Sequence, residues 1–138
     1  MHELTTRRQV EFSDTDLGGI VHFSRFFVFM ETAEDEFLRA LGGSFVFTHE
    51  GRSGGWPKVE ASCQYLSPAR YGDLLEVHLE VRKVTRSTVT YDIVFSRGET
   101  VVARGKTTSV CCAARPDGGF ESIAIPAPLA GRLRPAPG

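Results

Sequence analysis

Between Phe23 and Leu41, apolar side chains return at three- and four-residue steps. They are Phe23, Phe26, Phe27, Met30, Phe37, Leu38 and Leu41, with Ala33 on the same broad face. Glu31, Glu34, Asp35 and Arg39 fill much of the remainder. This periodicity predicts one long amphipathic helix, and Gly42-Gly43 supplies its C-terminal stop. A helix of about 18 residues is roughly 27 Å long at 1.5 Å per residue. So long an apolar face, read here as core, requires a broad surface to pack on.

The downstream sequence offers that surface. Val59, Ala61, Cys63 and Tyr65 alternate with Lys58, Glu60, Ser62 and Gln64. Leu75, Val77, Leu79 and Val81 alternate with Glu76, His78, Glu80 and Arg82, and Val89, Tyr91, Ile93 and Phe95 keep the same period. Val101 to Cys112 is a further β-rich run. Turn residues divide them at Ser67-Pro68 with Tyr71-Gly72-Asp73, at Thr85-Arg86-Ser87 and at Arg97-Gly98-Glu99. The tight last turns predict an antiparallel meander. Pro116-Asp117-Gly118-Gly119 closes it, Phe120 to Ile125 adds a short piece, and the tail of residues 126–138 is expected to fray. The architecture read from these patterns is α+β: one strand, one long helix, then four or five antiparallel strands, in a single domain over 1–138.

A sheet packed on one helix covers only one of its own faces, and its outer face and edges need solvent or another chain. We therefore expect a homo-oligomer, a dimer or a tetramer. The 138 residues carry 41% hydrophobic and 24% charged side chains with a net charge of −1. Nothing in that balance suggests a nucleic-acid surface, and no apolar run approaches the roughly 20 residues that span a membrane. Met1 to Gln9 is polar and lacks the apolar core of a secretory signal. Cys63, Cys111 and Cys112 read as buried small hydrophobes, which fits a reducing, cytoplasmic setting. No Cys/His spacing suits zinc, so no metal and no cofactor is expected.

The candidate site precedes the helix. Arg8 to Phe12 alternates as a strand, then Asp14-Thr15-Asp16-Leu17-Gly18-Gly19 places two carboxylates and two glycines before the helical segment. A carboxylate beside the N–H groups and positive dipole end of a helix can act on a reactive oxygen whose developing charge those donors stabilise. The plainer reading is an Asp-capped turn.

Glu11-Phe12-Ser13-Asp14-Thr15-Asp16-Leu17-Gly18-Gly19-Ile20-Val21-His22-Phe23-Ser24-Arg25-Phe26 resembles the signature of hotdog-fold acyl-CoA thioesterases of the 4-hydroxybenzoyl-CoA thioesterase type. Tyr65-Leu66-Ser67-Pro68-Ala69-Arg70-Tyr71-Gly72-Asp73 is similar to their second recurring segment, and the element order agrees. The resemblance implies a long central helix wrapped by a five- to six-stranded antiparallel sheet. It assigns the catalytic carboxylate to Asp16, as nucleophile or as general base toward water, and the hinge before the helix to Gly19. The backbone around Val21, His22 and Phe23 would offer N–H groups to the thioester oxygen. Asp14 would position the turn. A thiolate leaves readily, so one carboxylate and oxyanion donors suffice without a Ser-His-Asp set.

His22 has two readings, contact with substrate or water and hydrogen-bonded structure. Phe26, Glu31 and Trp56 are candidates to line the acyl pocket, with the glycine-rich segment from Gly42 to Pro57 as a flexible cover. Arg70, Lys83 and Arg86 are candidates to hold coenzyme phosphates, each with the alternative of an ordinary surface charge. His78 falls on the polar face of its strand. Composition admits both aromatic and medium-chain acyl groups, on coenzyme A or on acyl carrier protein. The competing function is a non-catalytic hotdog module that binds acyl thioesters or serves in assembly.

Overall fold

The long helix of the computed structural model, which describes residues 1–137, is α1, Arg25–Ala40. It begins later than the periodicity predicts, and Phe23 is left ahead of it, 62% exposed rather than in the core. The reason is local. The His22 N–H is drawn to the Asp14 carbonyl at 2.8 Å, so the chain stays tied to the acidic turn until Ser24. At the other end, Gly42 adopts φ +84°. Its N–H reaches the Arg39 carbonyl at 3.0 Å while Gly43 reaches Leu38 at 2.7 Å, a Schellman stop that favours glycine.

The strands are β1 (Glu3–Gln9), β2 (Phe47–His49), β3 (Arg52–Gly55), β4 (Lys58–Tyr65), β5 (Leu74–Val84), β6 (Thr88–Arg97), β7 (Thr100–Val110), β8 (Cys112–Ala114) and β9 (Phe120–Ser122). A five-stranded antiparallel sheet runs in the order β1-β5-β6-β7-β4. Phe26, Phe29, Met30, Ala33, Phe37 and Leu38 of α1 share its core with the alternate residues of β5 and β6 named above. Phe26 meets Phe95 edge-on at 5.3 Å and Phe37 meets Tyr91 at 5.8 Å. Each such side chain contributes about 1.5–3 kcal/mol on burial. As read from the sequence, His78 lies on the outer face, 3.2 Å from Glu3.

Four expectations need correction. β1 covers Glu3–Gln9 rather than Arg8 to Phe12, because Phe12–Asp14 turns into a 3-10 segment. β4 alternates in sequence but not in burial: Val59 is 65% exposed, since β4 pairs only with β7 and ends the sheet. The Gly42 to Pro57 segment is no simple loop; its β2–β3 hairpin joins β8 and β9 in a second sheet of four strands. The tail is packed: Arg132 donates to the Leu41 carbonyl at 2.8 Å, Ala136 to Val81 at 2.8 Å, and Leu133 is buried. No helix among the described residues is long and apolar enough to cross a membrane.

Candidate active site

The acidic turn is built around Asp14, which is 0% exposed. Its Oδ2 accepts the Glu11 N–H at 2.8 Å, and its Oδ1 accepts Arg25 Nε at 2.9 Å. Arg8 lies 3.4 Å away, its guanidinium stacked over the Phe29 ring at 4.6 Å. Burial pushes the Asp14 carboxyl up, but the Glu11 N–H and the two arginines outweigh it and hold the carboxyl below its ordinary value. Asp14 therefore stays ionised at neutral pH and ties β1, the turn and the first residue of α1 together.

Asp16 contrasts with it. Its backbone N–H and carbonyl close the turn onto Ile20 at 2.9 Å and Gly19 at 3.0 Å. The Asp16 Oδ1 accepts the Gly18 N–H at 2.8 Å, and Oδ2 has no protein partner among the described residues. The side chain is exposed. Gly19 holds φ +79°, a conformation that costs about 1–2 kcal/mol with a β-carbon. The turn thus presents one carboxylate oxygen outward while the other is fixed.

Asp16 forms part of the wall of a cavity of about 460 Å³, with Ile20, Val21, Phe23, Phe26 and the segment Tyr65 to Ala69. That segment is clasped to the turn by the Val21 N–H to Ala69 carbonyl bond at 2.8 Å and by bridge pairing of Ile20 with Arg70. The Arg97 guanidinium steadies it from behind, donating to the Pro68 carbonyl at 2.9 Å and to Asp73 at 3.2 Å.

The backbone narrows the expected oxyanion donors. Val21 gives its N–H to Ala69 and His22 gives its own to Asp14 at 2.8 Å, so neither is available to a ligand. The Phe23 N–H has no acceptor among the described residues. His22 Nδ1 lies 2.8 Å from Ser24 Oγ, and its ring stacks on Phe23 at 4.5 Å, so both of these contacts lie within the turn itself.

The other candidates divide. Phe26 reaches the cavity and the core together. Glu31 does not reach it; it sits on the exposed side of α1 in a shallow groove with Thr32, Asp35 and Arg39. Trp56 does not either. It is buried beside the helix C-terminus, donates to the Ser44 carbonyl at 3.2 Å, and lines a separate cavity of about 170 Å³ with Gly42, Gly43, Phe47 and residues 126–129. The β2–β3 hairpin shares that cavity through Phe47 and Thr48 and so does not cover Asp16. Arg70 stands beside the acidic turn. Lys83 and Arg86 lie at the opposite end of β5, an 11-residue strand of roughly 33 Å at about 3.3 Å per residue, so one chain does not bring them to Asp16. Of the residues lining this cavity beside Asp16, Ile20 and the segment Tyr65 to Ala69 were not singled out as site residues from sequence. Ile20 lies in the first motif and Tyr65 to Ala69 in the second recurring segment, which were the available signals.

A phenylalanine-faced helix on an antiparallel sheet, with an exposed carboxylate at an apolar cavity before the helix, places the molecule in the hotdog class. The chain matches the model of the thioesterase superfamily over residues 18–110. An Aquifex aeolicus protein described as an esterase is 37% identical over 103 residues, 73% of this chain and 78% of its own. A 1,4-dihydroxy-2-naphthoyl-CoA hydrolase of Nostoc punctiforme is 33% identical over 109 residues, 78% of this chain and 72% of its own. Among solved structures, Slr0204, a 1,4-dihydroxy-2-naphthoyl-CoA thioesterase from Synechocystis, superposes with a TM-score of 0.80 at 26% identity and 95% coverage of both chains. The chain belongs to the thioesterase superfamily, and its reaction is hydrolysis of a thioester.

Proposed function

We propose that this protein hydrolyses acyl-CoA thioesters at Asp16, with an aromatic acyl group as the preferred substrate. The observation that carries the reading is the outward Asp16 oxygen, without a protein partner, in an apolar wall. Asp16 attacks the thioester carbonyl or takes a proton from the attacking water while the Phe23 N–H polarises the carbonyl oxygen. Coenzyme A leaves as its thiolate, and water hydrolyses the anhydride that direct attack forms on Asp16. Asp14 holds the turn still while this occurs. The rings of Phe23, Phe26 and Tyr65 in the cavity wall favour an aryl group over a flexible chain. The naphthoyl substrate named for the Nostoc and Synechocystis relatives supports the same choice.

The active form in this reading is a homo-oligomer. The β4 edge presents Val59, Tyr65 and Leu66 at 65%, 46% and 46% exposure with no strand beyond it. A second chain covering it brings its own Lys83 and Arg86 toward coenzyme phosphates that the first chain's basic turn does not reach. Light scattering on a size-exclusion column is expected to give a dimer or tetramer; a stable monomer at micromolar concentration with full activity removes this part.

The direct test is thiol release from aromatic and medium-chain acyl-CoAs by wild type and Asp16→Asn. The variant is expected to lose about 10²–10⁴-fold in kcat, the range of positioned acid–base catalysis. Full activity of Asp16→Asn, or no turnover of any acyl-CoA by wild type, overturns the proposal. Faster turnover of medium-chain than of aromatic substrates overturns the aromatic preference alone.

A further inference from the structure

The Phe23 residue is the point at which the extended chain turns into α1. Around it the backbone is well tied: the His22 carbonyl accepts Arg25 N–H at 2.9 Å, and the Ser24 carbonyl accepts Phe27 N–H at 3.2 Å. The Phe23 carbonyl takes no backbone donor among the described residues. Its partner is the Tyr65 hydroxyl, which donates to it at 2.9 Å from 42 residues away. A carbonyl can only accept, so the direction of this bond is unambiguous.

Tyr65 is itself well placed to hold a fixed geometry. It is the last residue of β4, and its ring packs edge-on against Phe26 at 5.6 Å. Phe26 in turn is locked against Phe29 and Phe95 in the core. Burial and the neighbouring Cys63 push the phenol above its ordinary value, so the hydroxyl keeps the proton it donates well into the alkaline range. The ring is a rigid lever with two torsions, and its tip reaches Phe23, whose N–H and carbonyl take no backbone partner among the described residues.

We propose that Tyr65 is a positioning residue for thioester hydrolysis, its hydroxyl fixing the Phe23 residue so that the Phe23 N–H meets the thioester oxygen in register. This rests on the reading of the site given above. An oxyanion donor acts only when aimed at the place where charge develops, and small misplacements far from the chemistry are expensive. Tyr65 touches neither substrate oxygen nor nucleophile in this account. It acts through the Phe23 peptide.

Tyr65→Phe deletes one oxygen and keeps the ring against Phe26. We expect kcat for an aromatic acyl-CoA to fall about tenfold, within the roughly 100-fold that displacement by an ångström can cause. KM is expected to change less than about twofold, and the thermal midpoint to hold. A second readout is spectroscopic. In the slow Asp16→Asn background, the C=O stretch of a bound thioester is lowered by the oxyanion donor, and adding Tyr65→Phe is expected to return it toward its solution frequency. An unchanged kcat and stretch, while Asp16→Asn is inactive, overturn the role of Tyr65 and leave the site reading standing. A loss confined to KM or to the thermal midpoint overturns it in the same way, as a merely structural effect. Full activity in Asp16→Asn removes the reading of the site, and the role of Tyr65 with it.

Discussion

At the start of α1, Asp14 is shielded from solvent beneath two arginines, and its carboxyl is held below the ordinary value. Nine residues beyond Arg25 on the same helix, Glu34 is 1% exposed, and its carboxyl is shifted the other way. The Glu34 Oε1 faces Lys58 Nζ at 2.6 Å, and Oε2 accepts the Ser109 hydroxyl at 2.7 Å. Two donors do not offset its depth between helix and sheet, and burial prevails. Asp14 is shallower and has one backbone N–H and two guanidinium groups. Exposure is the same for both; depth and donor supply decide the sign. The protein keeps a fixed anion in the turn before α1 and a marginal one where helix and sheet meet.

Asp14→Ala should have the largest effect on stability. It leaves Arg8 and Arg25 without their counter-ion and the Glu11 N–H without its acceptor, and removing one partner of a buried pair costs about 3–5 kcal/mol. Because the arginine side chains are 23% and 33% exposed and can rehydrate, we expect the lower end, about 3 kcal/mol, by urea denaturation. Activity should fall with it, since the Asp16 turn is anchored through Asp14. The pH dependence has a definite sign. A folded value below the unfolded 3.8 means that the Asp14 contribution is complete above pH 3.8 and disappears as pH falls through the folded value. Asp14→Asn should abolish that part of the acid transition. A loss under about 1 kcal/mol for Asp14→Ala would show the pair to be effectively solvated, as exposed pairs are.

Lys58→Ala sharpens the contrast from the other side. It leaves the Glu34 carboxylate buried with only Ser109, and we expect about 2 kcal/mol of destabilisation at pH 7, below the full range for a buried pair because Lys58 is itself 26% exposed. Here the sign reverses. The folded Glu34 value lies above 4.5, so ionised Glu34 is a burden at neutral pH that is relieved as pH falls through the folded value toward 4.5. The deficit of Lys58→Ala should therefore shrink on mild acidification, where that of Asp14→Ala is constant. A deficit that stays constant from neutral pH down to pH 4.5 would contradict the assignment.

The comparison also separates what periodicity can reveal from what it cannot. α1 and β5 to β7 were legible because each buries one regular face, and the spacing of Phe26, Met30 and Phe37 or of Leu75, Val77 and Leu79 records it directly. β4 was legible as a strand but not in its burial, because an edge strand paired on one side only exposes its apolar positions. The second sheet was not, beyond the short piece starting at Phe120, because its strands are only three or four residues long. In the site, Asp16 and Gly19 were visible as a motif, but the choice among Val21, His22 and Phe23 rests on acceptors elsewhere in the chain, Ala69 and Asp14. That Glu31 and Trp56 line other cavities of the chain than the one beside Asp16 could not be read, because composition says which side chains are large or charged, not which cavity they face. The Tyr65 hydroxyl was missed because its partner is 42 residues away.

Ser109→Ala removes the second Glu34 donor. A hydrogen bond to a charged group contributes about 1.5–3 kcal/mol, and we expect about 1.5 because Lys58 remains. The loss should be largest at neutral pH and smaller where Glu34 is protonated. A thermal scan of wild type and variant at pH 7 and at pH 4.5 separates this from simple loss of packing, which would be equal at both.

The smallest effect has the opposite direction. The Tyr91 side chain is fully buried against Phe37, and its hydroxyl has no hydrogen-bond partner among the described residues. Burial first, and then the charge of Glu34, push its phenol well above the ordinary value, so it is neutral throughout the accessible range. An unpaired buried hydroxyl is a burden of about 1–3 kcal/mol, which Tyr91→Phe removes while keeping the ring. The vacated space offsets part of that gain, and we expect a net stabilisation of about 0.5–1 kcal/mol. A destabilised Tyr91→Phe would mean that the hydroxyl is satisfied in solution, with Glu34 as the acceptor its charge makes natural. Measuring the variant again in a Glu34→Gln background decides the point. If the hydroxyl serves Glu34, the two changes will not add, whereas an unpartnered hydroxyl gives the same gain in both backgrounds.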